Sequence, residues 1–179
     1  MARIAVAAIG PDRPGMVAAL TGALMERGAN LEDTAMTNLA GHFAMMLVVE
    51  VPSDRDPAAL EAAVAAEVAD LGLTVVVRPL APEAVPGPPA ASSWAVSVYG
   101  ADRPGIVHRV TRLLAEHRAN IADLSTRVVG PSDEPAYVML LEVTLPPGGD
   151  ADRLGAELEV LAEDLGVEIH LRPDDVETL

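Results

Sequence analysis

A six-residue pattern, Gly-x-Asp-Arg-Pro-Gly, occurs twice in this chain, at Gly10–Gly15 and again at Gly100–Gly105. In both copies a short apolar run comes before the pattern, and apolar residues at helical spacing come after it. Glycine and proline between two such runs indicate a turn that joins a strand to a helix. The duplication therefore predicts two units of the same fold, each built around one of these turns.

The periodicity around each turn predicts the order β-α-β-β-α-β, which is the ferredoxin-like split βαβ arrangement. We place the two units at 1–80 and 94–173, with a Pro-rich linker at 81–93 and a polar tail at 174–179. Pro14 and Pro104 fit the first helical position, where a missing N–H costs nothing. The expected fold class is α+β, with two antiparallel sheets that each carry two helices on one face.

The alternation in the predicted hairpins indicates that the second face of each sheet is partly apolar and needs a cover. In the first hairpin we expect one face to hold Leu31, Asp33, Ala35, Thr37 and Leu39. Three methionines lie in the same hairpin: Met36, Met45 and Met46. We interpret them as adaptable core residues, and a partner-binding surface is the alternative interpretation.

The charge and composition exclude several classes of function. The formal net charge is −15, with no Lys/Arg cluster to offset it, which argues against direct binding of nucleic acid. The chain has no cysteine, so disulfides, thiol catalysis and Cys-based metal sites are absent. No signal peptide or apolar run of membrane-spanning length is present, and we expect a cytoplasmic protein that does not bind membranes.

Taken together, the repeated Asp-Arg-Pro-Gly turns, Gly28-Ala-Asn30-Leu31, Arg118-Ala-Asn120-Ile121 and the β-α-β-β-α-β order resemble ACT domains. The resemblance covers nearly all of the chain outside the linker and tail. Two tandem units are similar to the regulatory proteins typified by the glycine cleavage system transcriptional repressor. This resemblance implies a regulatory protein that binds an amino acid between ACT units, near the strand-one turn and the residue that opens strand two, and that acts through a protein partner.

The chemistry of these positions suits an amino acid. A helix N-terminus attracts a carboxylate, an Asp carboxylate can bind an ammonium group, and an Asn side chain offers both a donor and an acceptor. The candidate ligand-binding residues are Asp12, Arg13, Pro14, Gly15, Asn30, Leu31, Asp102, Arg103, Pro104, Gly105, Asn120 and Ile121. A purely structural interpretation stays open for each of them, because Asp caps helices, Pro-Gly shapes turns and Asn tolerates tight turns.

Other chemistries have little support in the sequence. The four histidines, His42, His108, His117 and His170, share no metal-ligand spacing. Ser97, Ser125 and Thr126 lack a recognisable His/Asp partner, and no phosphate-binding Gly-rich loop ends in Lys-Ser/Thr. We therefore expect no metal, no cofactor and no catalytic residues. Two functions remain open, an amino-acid sensor and a ligand-free interaction scaffold, and for both we expect a homodimer.

Overall fold

The computed structural model describes residues 1–81, 92–131 and 135–174. The chain divides into two compact units, Met1–Pro86 and Gly87–Leu179, which we call unit 1 and unit 2 and describe separately. Most of the predicted linker, and the tail beyond Asp174, lie outside the described residues. The first strand of unit 2 begins at Ser92, earlier than the expected Trp94.

Each unit has the element order predicted from the sequence. Unit 1 contains β1 (Ala2–Pro11), α1 (Met16–Met25), β2 (Asn30–Leu39), β3 (His42–Val51), α2 (Pro57–Glu67), a 3-10 turn (Ala69–Leu71) and β4 (Thr74–Pro79). Unit 2 contains β5 (Ser92–Gly100), α3 (Ile106–Glu116), β6 (Asn120–Val129), β7 (Ala136–Leu145), α4 (Ala151–Leu165) and β8 (Val167–Pro173). No helix in the described part of the chain is long and apolar enough to cross a bilayer.

Each unit has one four-stranded antiparallel sheet, with strand order β2-β3-β1-β4 in unit 1 and β6-β7-β5-β8 in unit 2. The two helices of a unit cover one face of its sheet. That face is apolar and fully buried, as at Val6 and Leu47 in unit 1 and at Val98 and Met139 in unit 2. The predicted α+β fold of two ferredoxin-like units is confirmed.

The helix starts follow local chemistry, with one correction to the sequence prediction. The Asp56 side chain accepts from the Ala58 N–H, and the Asp150 side chain accepts from the Arg153 N–H, as capping residues do. The helices after the repeated turns, by contrast, begin at Met16 and Ile106. Their caps are glycines, so Pro14 and Pro104 precede the helices and are not their first residues.

A β-bulge changes which side chains share the face of the first sheet that the helices leave open. In the pairing of β2 with β3, the register shifts between Leu31 and Asp33. Leu31 lies opposite the buried Val49, whereas Asp33 lies opposite Val48 on the open face. The expected face of alternating residues is therefore wrong at Leu31, because an extra residue on one strand inverts the alternation.

The methionines of this hairpin do not behave as one core cluster. Met45 is buried, but Met36 and Met46 are more than half exposed. Met46 lies on the open face of the sheet, and Met36 lies on β2, at the edge of the sheet. The core interpretation is wrong for these two residues.

Two glycines at the ends of the first strands allow close backbone packing. A Cβ added to Gly10 would lie 2.6 Å from the carbonyl oxygen of Gly72, and one added to Gly100 would lie 2.7 Å from Cγ1 of Val167. The contact at Gly10 is with a backbone atom, which cannot move away by a change of rotamer as a side chain can.

We predict that Gly10→Ala destabilises the protein by about 1–3 kcal/mol, the usual cost of overpacking. The matched control is Gly22→Ala, on α1, where an added Cβ meets nothing within 4 Å. That change should stabilise the helix by about 0.5–1 kcal/mol. Urea unfolding followed by circular dichroism measures both effects. Equal unfolding midpoints for the two variants would contradict the close approach at Gly10.

A small polar network joins the two helices of unit 2. The His117 ring lies at the end of α3, with Nε2 2.9 Å from Oε2 of Glu157 on α4, and Arg153 donates from Nε to Oε1 of the same carboxylate at 2.9 Å. These hydrogen bonds, first that to His117, lower the pKa of Glu157 below its ordinary value. A lowered pKa in the folded state stabilises the fold above the pKa of the unfolded chain, and this stabilisation is lost as the pH falls through the folded value.

We predict that Glu157→Gln lowers the melting temperature at pH 7 and lowers it less at pH 3, because protonation of the wild-type carboxylate removes the same interactions as the pH falls through its lowered pKa. Glu159→Gln is the control, because Glu159 is an exposed acid of the same helix with no hydrogen bond or ion pair to another described residue. Calorimetry of both variants at the two pH values measures the difference. A deficit in Glu157→Gln that is as large at pH 3 as at pH 7 would assign it to packing and not to the carboxylate.

Candidate ligand-binding site

The two arginines of the repeated turns bind to backbone of their own unit. Arg13 donates from Nη1 to the carbonyl of Asp70 at 3.4 Å, and Arg103 donates from Nη1 to the carbonyl of Leu165 at 3.1 Å. The Leu165 carbonyl is at the end of α4, and the Asp70 carbonyl is in the 3-10 turn that follows α2, where carbonyls lack partners in the α-helix. This contact gives the repeated arginine a structural role in each unit.

Gly15 and Gly105 cap the helices after the turns in a left-handed conformation, with φ of +91° and +94°. An added Cβ would meet nothing within 4 Å at either position, so the conformation and not space requires glycine. Neither cap supplies a side-chain hydrogen bond. The first N–H groups of α1 and α3 therefore lack a side-chain cap, and the positive end of each helix dipole is at the turn.

The two repeated aspartates have different surroundings. Asn38 donates from Nδ2 to Oδ2 of Asp12 at 2.6 Å, and the Asp12 N–H donates to the Gly41 carbonyl at 2.9 Å. These contacts tie the turn of unit 1 to the β2–β3 hairpin. The position in unit 2 that matches Asn38 is Val128, which cannot donate to Asp102. The side chain of Asp102 has no hydrogen bond or ion pair to another residue in the described part of the chain.

In unit 2 the turn borders a cleft of about 420 Å³. Its lining includes three of the predicted residues (Asp102, Arg103, Gly105) and five others: Ile106, Val107, His108, Thr126 and Tyr137. Tyr137 is mostly buried, and burial, followed by the nearby charge of Asp102, raises the pKa of its hydroxyl, while a hydrogen bond with Thr126 opposes the rise. The cleft thus combines one carboxylate, one guanidinium, two hydroxyls and an imidazole beside a helix N-terminus.

The cleft also has three members that the sequence did not predict: His108, Thr126 and Tyr137. Unit 1 has apolar residues at the three matching positions, Ala18, Met36 and Phe43. An alignment on the repeated turns finds the first two, whereas the match of Tyr137 with Phe43 also needs the four extra residues of the second hairpin to be allowed for. Their proximity, however, depends on strand register. Tyr137 lies opposite Gly100 at the end of β5, and Thr126 lies opposite Met139 on β7.

The predicted asparagines lie at the other end of each sheet. Asn30 shares a row with Arg3, and Asn120 shares a row with Ser93, whereas the turns leave β1 at Gly10 and β5 at Gly100. Seven residues of extended strand separate the two ends, about 23 Å. One unit therefore cannot bring its own turn and its own asparagine together around a small ligand. Leu31 and Ile121, next in sequence, lie at the asparagine end.

A larger cavity of about 700 Å³ lies between α3 and α4 of unit 2. Its charged walls are largely paired within the unit, since Arg109 binds Asp164 and Glu157 binds His117 and Arg153. In the described part of the chain, no cluster of three His, Asp or Glu side chains could hold a metal ion. The cleft beside the unit 2 turn is the better candidate for a small charged ligand, because the carboxylate of Asp102 has no hydrogen bond or ion pair within the described part of the chain.

Comparison with known proteins agrees with the duplicated architecture. The ACT-domain family model matches residues 2–78 and again residues 95–172. The glycine cleavage system transcriptional repressor of Escherichia coli is 28% identical over 167 residues, which are 92% of this chain and 86% of that protein. A UPF0237 protein of Methanopyrus kandleri is 42% identical over 85 residues, 45% of this chain and 87% of its own length.

Among solved structures, a protein of unknown function from Galdieria sulphuraria superimposes with a TM-score of 0.81 at 27% identity, covering 97% of this chain and 98% of that one. Its similarity therefore extends over both units. The family model likewise matches each unit separately and almost completely. The chain belongs to the ACT-domain family and carries two ACT domains in tandem.

Proposed function

We propose that this protein is a non-enzymatic regulator that binds a free amino acid, such as glycine or serine, in the cleft beside the unit 2 turn. The observation that carries the proposal is the cleft itself, which places an unpaired carboxylate beside an uncapped helix N-terminus. Its volume of about 420 Å³ lies within the range of about 300–1,000 Å³ that is common for small-molecule sites.

The cleft offers complementary groups for both ends of an amino acid. The first N–H groups of α3 suit the carboxylate, because they are free of a side-chain cap and lie at the positive end of the helix dipole. Asp102 suits the ammonium group. Thr126 and Tyr137 add hydroxyls that can contact a small polar side chain.

Unit 1 is the weaker candidate for binding. Its Asp12 carboxylate already accepts a hydrogen bond from Asn38 at 2.6 Å, so a ligand would have to compete for it. It also lacks the imidazole and the hydroxyls of the unit 2 cleft. We therefore assign ligand binding to unit 2. In unit 1 the hydrogen bond from Asn38 already occupies the aspartate of the turn.

Asn30 and Asn120 could contribute to a ligand site at a turn only if that turn belonged to a different unit. A site that used both a turn and Asn30 or Asn120 needs the turn of one unit and the asparagine of another, because they lie at opposite ends within a unit. Participation of Asn30, Leu31, Asn120 and Ile121 remains a prediction of the family resemblance.

We further propose that the bound amino acid changes the contacts of the protein with a protein partner. Through this change the protein regulates amino-acid metabolism, including at the level of transcription. Support comes from the similarity to a relative named as a transcriptional repressor. The net charge of −15 favours a protein partner over direct contact with DNA. The ligand would act by its different affinity for two arrangements of units or subunits.

A ligand-free interaction scaffold is the second candidate function. The observation in its favour is the open face of the unit 1 sheet, where Ile9, Leu39 and Met46 are each more than half exposed. Large apolar side chains on an uncovered sheet face are typical of a protein-binding surface.

We predict that at least one of the twenty amino acids raises the melting temperature of the wild-type protein. At a concentration of one hundred times its dissociation constant, the ligand should add about 2.7 kcal/mol to the free energy of unfolding. Asp102→Asn should abolish this shift, because it removes the charge that pairs with the ammonium group. Differential scanning fluorimetry followed by calorimetric titration measures both.

Asp12→Asn is the matched control, since it makes the same change at the same position of the other unit and should keep the ligand-dependent shift. If Asp12→Asn loses the shift and Asp102→Asn keeps it, unit 1 is the binding unit. If no amino acid at millimolar concentration moves the melting temperature of the wild type, the sensor proposal fails and the scaffold is favoured.

A further inference from the structure

The open face of the unit 1 sheet is apolar at its centre. The two central strands of this sheet are β3 and β1. Their side chains between the buried positions all point to the open face and are all apolar: Ala5, Ala7, Ile9, Ala44, Met46 and Val48. A sheet face that stays in contact with water usually carries polar side chains, so an apolar centre marks a surface that another protein covers.

The matching face of unit 2 is more polar. At three positions an apolar residue of unit 1 corresponds to a polar residue of unit 2: Ala7 to Ser97, Val48 to Glu142 and Val76 to His170. The two sheets have the same strand order, so the geometry of the fold does not account for the difference. Burial would therefore stabilise the open face of unit 1 more than that of unit 2.

The apolar side chains of the unit 1 face vary in size in a way that suits a second copy of the same face. Each row across β3 and β1 pairs an alanine with a larger residue: Val48 with Ala5, Met46 with Ala7, and Ala44 with Ile9. A two-fold axis that runs along the strands, between β3 and β1, places β3 of one copy over β1 of the other. Each large side chain then lies over an alanine of the other copy, as close packing of two sheets about 10 Å apart requires.

Two opposite charges lie at the two edges of this face, in one row. Asp33 on β2 is opposite Val48, and Arg78 on β4 is opposite Ala5. Three strand spacings, about 14 Å, separate the two charged residues, so they do not pair within the unit. Neither has an ion pair with another residue in the described part of the chain. The same two-fold axis places β2 over β4, so Asp33 of each copy lies near Arg78 of the other.

The open face of unit 2 would fit this surface less well. In the same arrangement Glu142 would lie over Ala5, near the centre of the interface, where burial of a carboxylate is costly. Val138 would lie over Ile9, which sets one large side chain against another. A second copy of unit 1 has neither defect.

We propose that two copies of this chain associate through the open faces of their unit 1 sheets, packed face to face about a two-fold axis along the strands. The occupant is a second copy because the face is complementary to itself in side-chain size and in charge. The interface buries Ile9 and Met46 and holds two Asp33–Arg78 ion pairs, as expected for an isologous dimer. It requires nothing of the ligand cleft in unit 2, so this proposal and the sensor proposal can fail separately.

A lysine at the centre of the face tests the interface. Met46→Lys would bury an ammonium group over Ala7 of the other copy, and we expect it to weaken self-association by at least about tenfold in sedimentation equilibrium. Leu140→Lys is the matched control, because Leu140 holds the same position on the open face of unit 2 and is exposed like Met46. It should leave self-association unchanged.

Two opposite charge reversals test the direction of the two-fold axis at exposed residues that the fold does not bury. Asp33→Arg alone would place two pairs of like positive charge across the dimer, and Arg78→Asp alone two pairs of like negative charge. We expect each variant to weaken self-association by at least about tenfold. An equimolar mixture of the two variants should form heterodimers, since both pairs are then attractive, and the double variant should associate like the wild type.

Circular dichroism and the melting temperature establish that each variant is folded. The proposal is overturned if the wild type is monomeric at all concentrations, or if Met46→Lys associates as tightly as the wild type. It is also overturned if Leu140→Lys weakens association as much as Met46→Lys, since the interface would then use unit 2. A charge reversal without effect, or a mixture of Asp33→Arg and Arg78→Asp that restores nothing, would contradict the proposed axis.

Discussion

The left-handed glycine at the start of the first helix of each unit is the constraint on which the rest of the structure depends. At Gly15 and Gly105 the chain leaves a buried strand and turns back as a helix over the same sheet, with φ near +90°. A residue with a Cβ is strained in this conformation. The same geometry leaves the helix N-terminus without a side-chain cap, so one turn both reverses the chain and provides positive potential for a ligand.

The two duplicated units share the same fold but differ in the side chains around their repeated turns. They keep the elements that build the fold: the capping glycine, the arginine that binds a backbone carbonyl at or just after the end of the second helix, and the glycine that packs against Gly72 before β4 or against Val167 at the start of β8. They differ in the side chains that meet at the turn. Unit 1 closes its turn with the Asn38–Asp12 hydrogen bond, whereas unit 2 keeps its aspartate free beside a polar cleft. The fold tolerates both arrangements because Asp12, Asn38 and Asp102 are exposed and lie outside the apolar core between sheet and helices.

The strand order also leaves surface available for association. In each unit the strand that follows the first helix lies at the edge of the sheet, and nearly all residues of β2 and β6 are exposed. Their side chains give the two edges different charges, since β2 carries two acids and no basic residue whereas β6 carries one acid and one arginine.

The sequence by itself determined the duplication, the order of the elements and the class of fold. These follow from patterns between near neighbours, such as the Gly-x-Asp-Arg-Pro-Gly turns and apolar residues at intervals of two or of three and four. Only the tertiary structure decided that Asn30 and Asn120 lie far from the turns of their own units, that Leu31 faces the helices, and that Thr126 and Tyr137 border the same cleft as Asp102. These facts depend on strand register and on a β-bulge, which arise from hydrogen bonds between residues distant in sequence. A local sequence pattern does not determine which residues of two distant strands pair with each other. A shift of one residue in the pairing moves every later side chain to the other face.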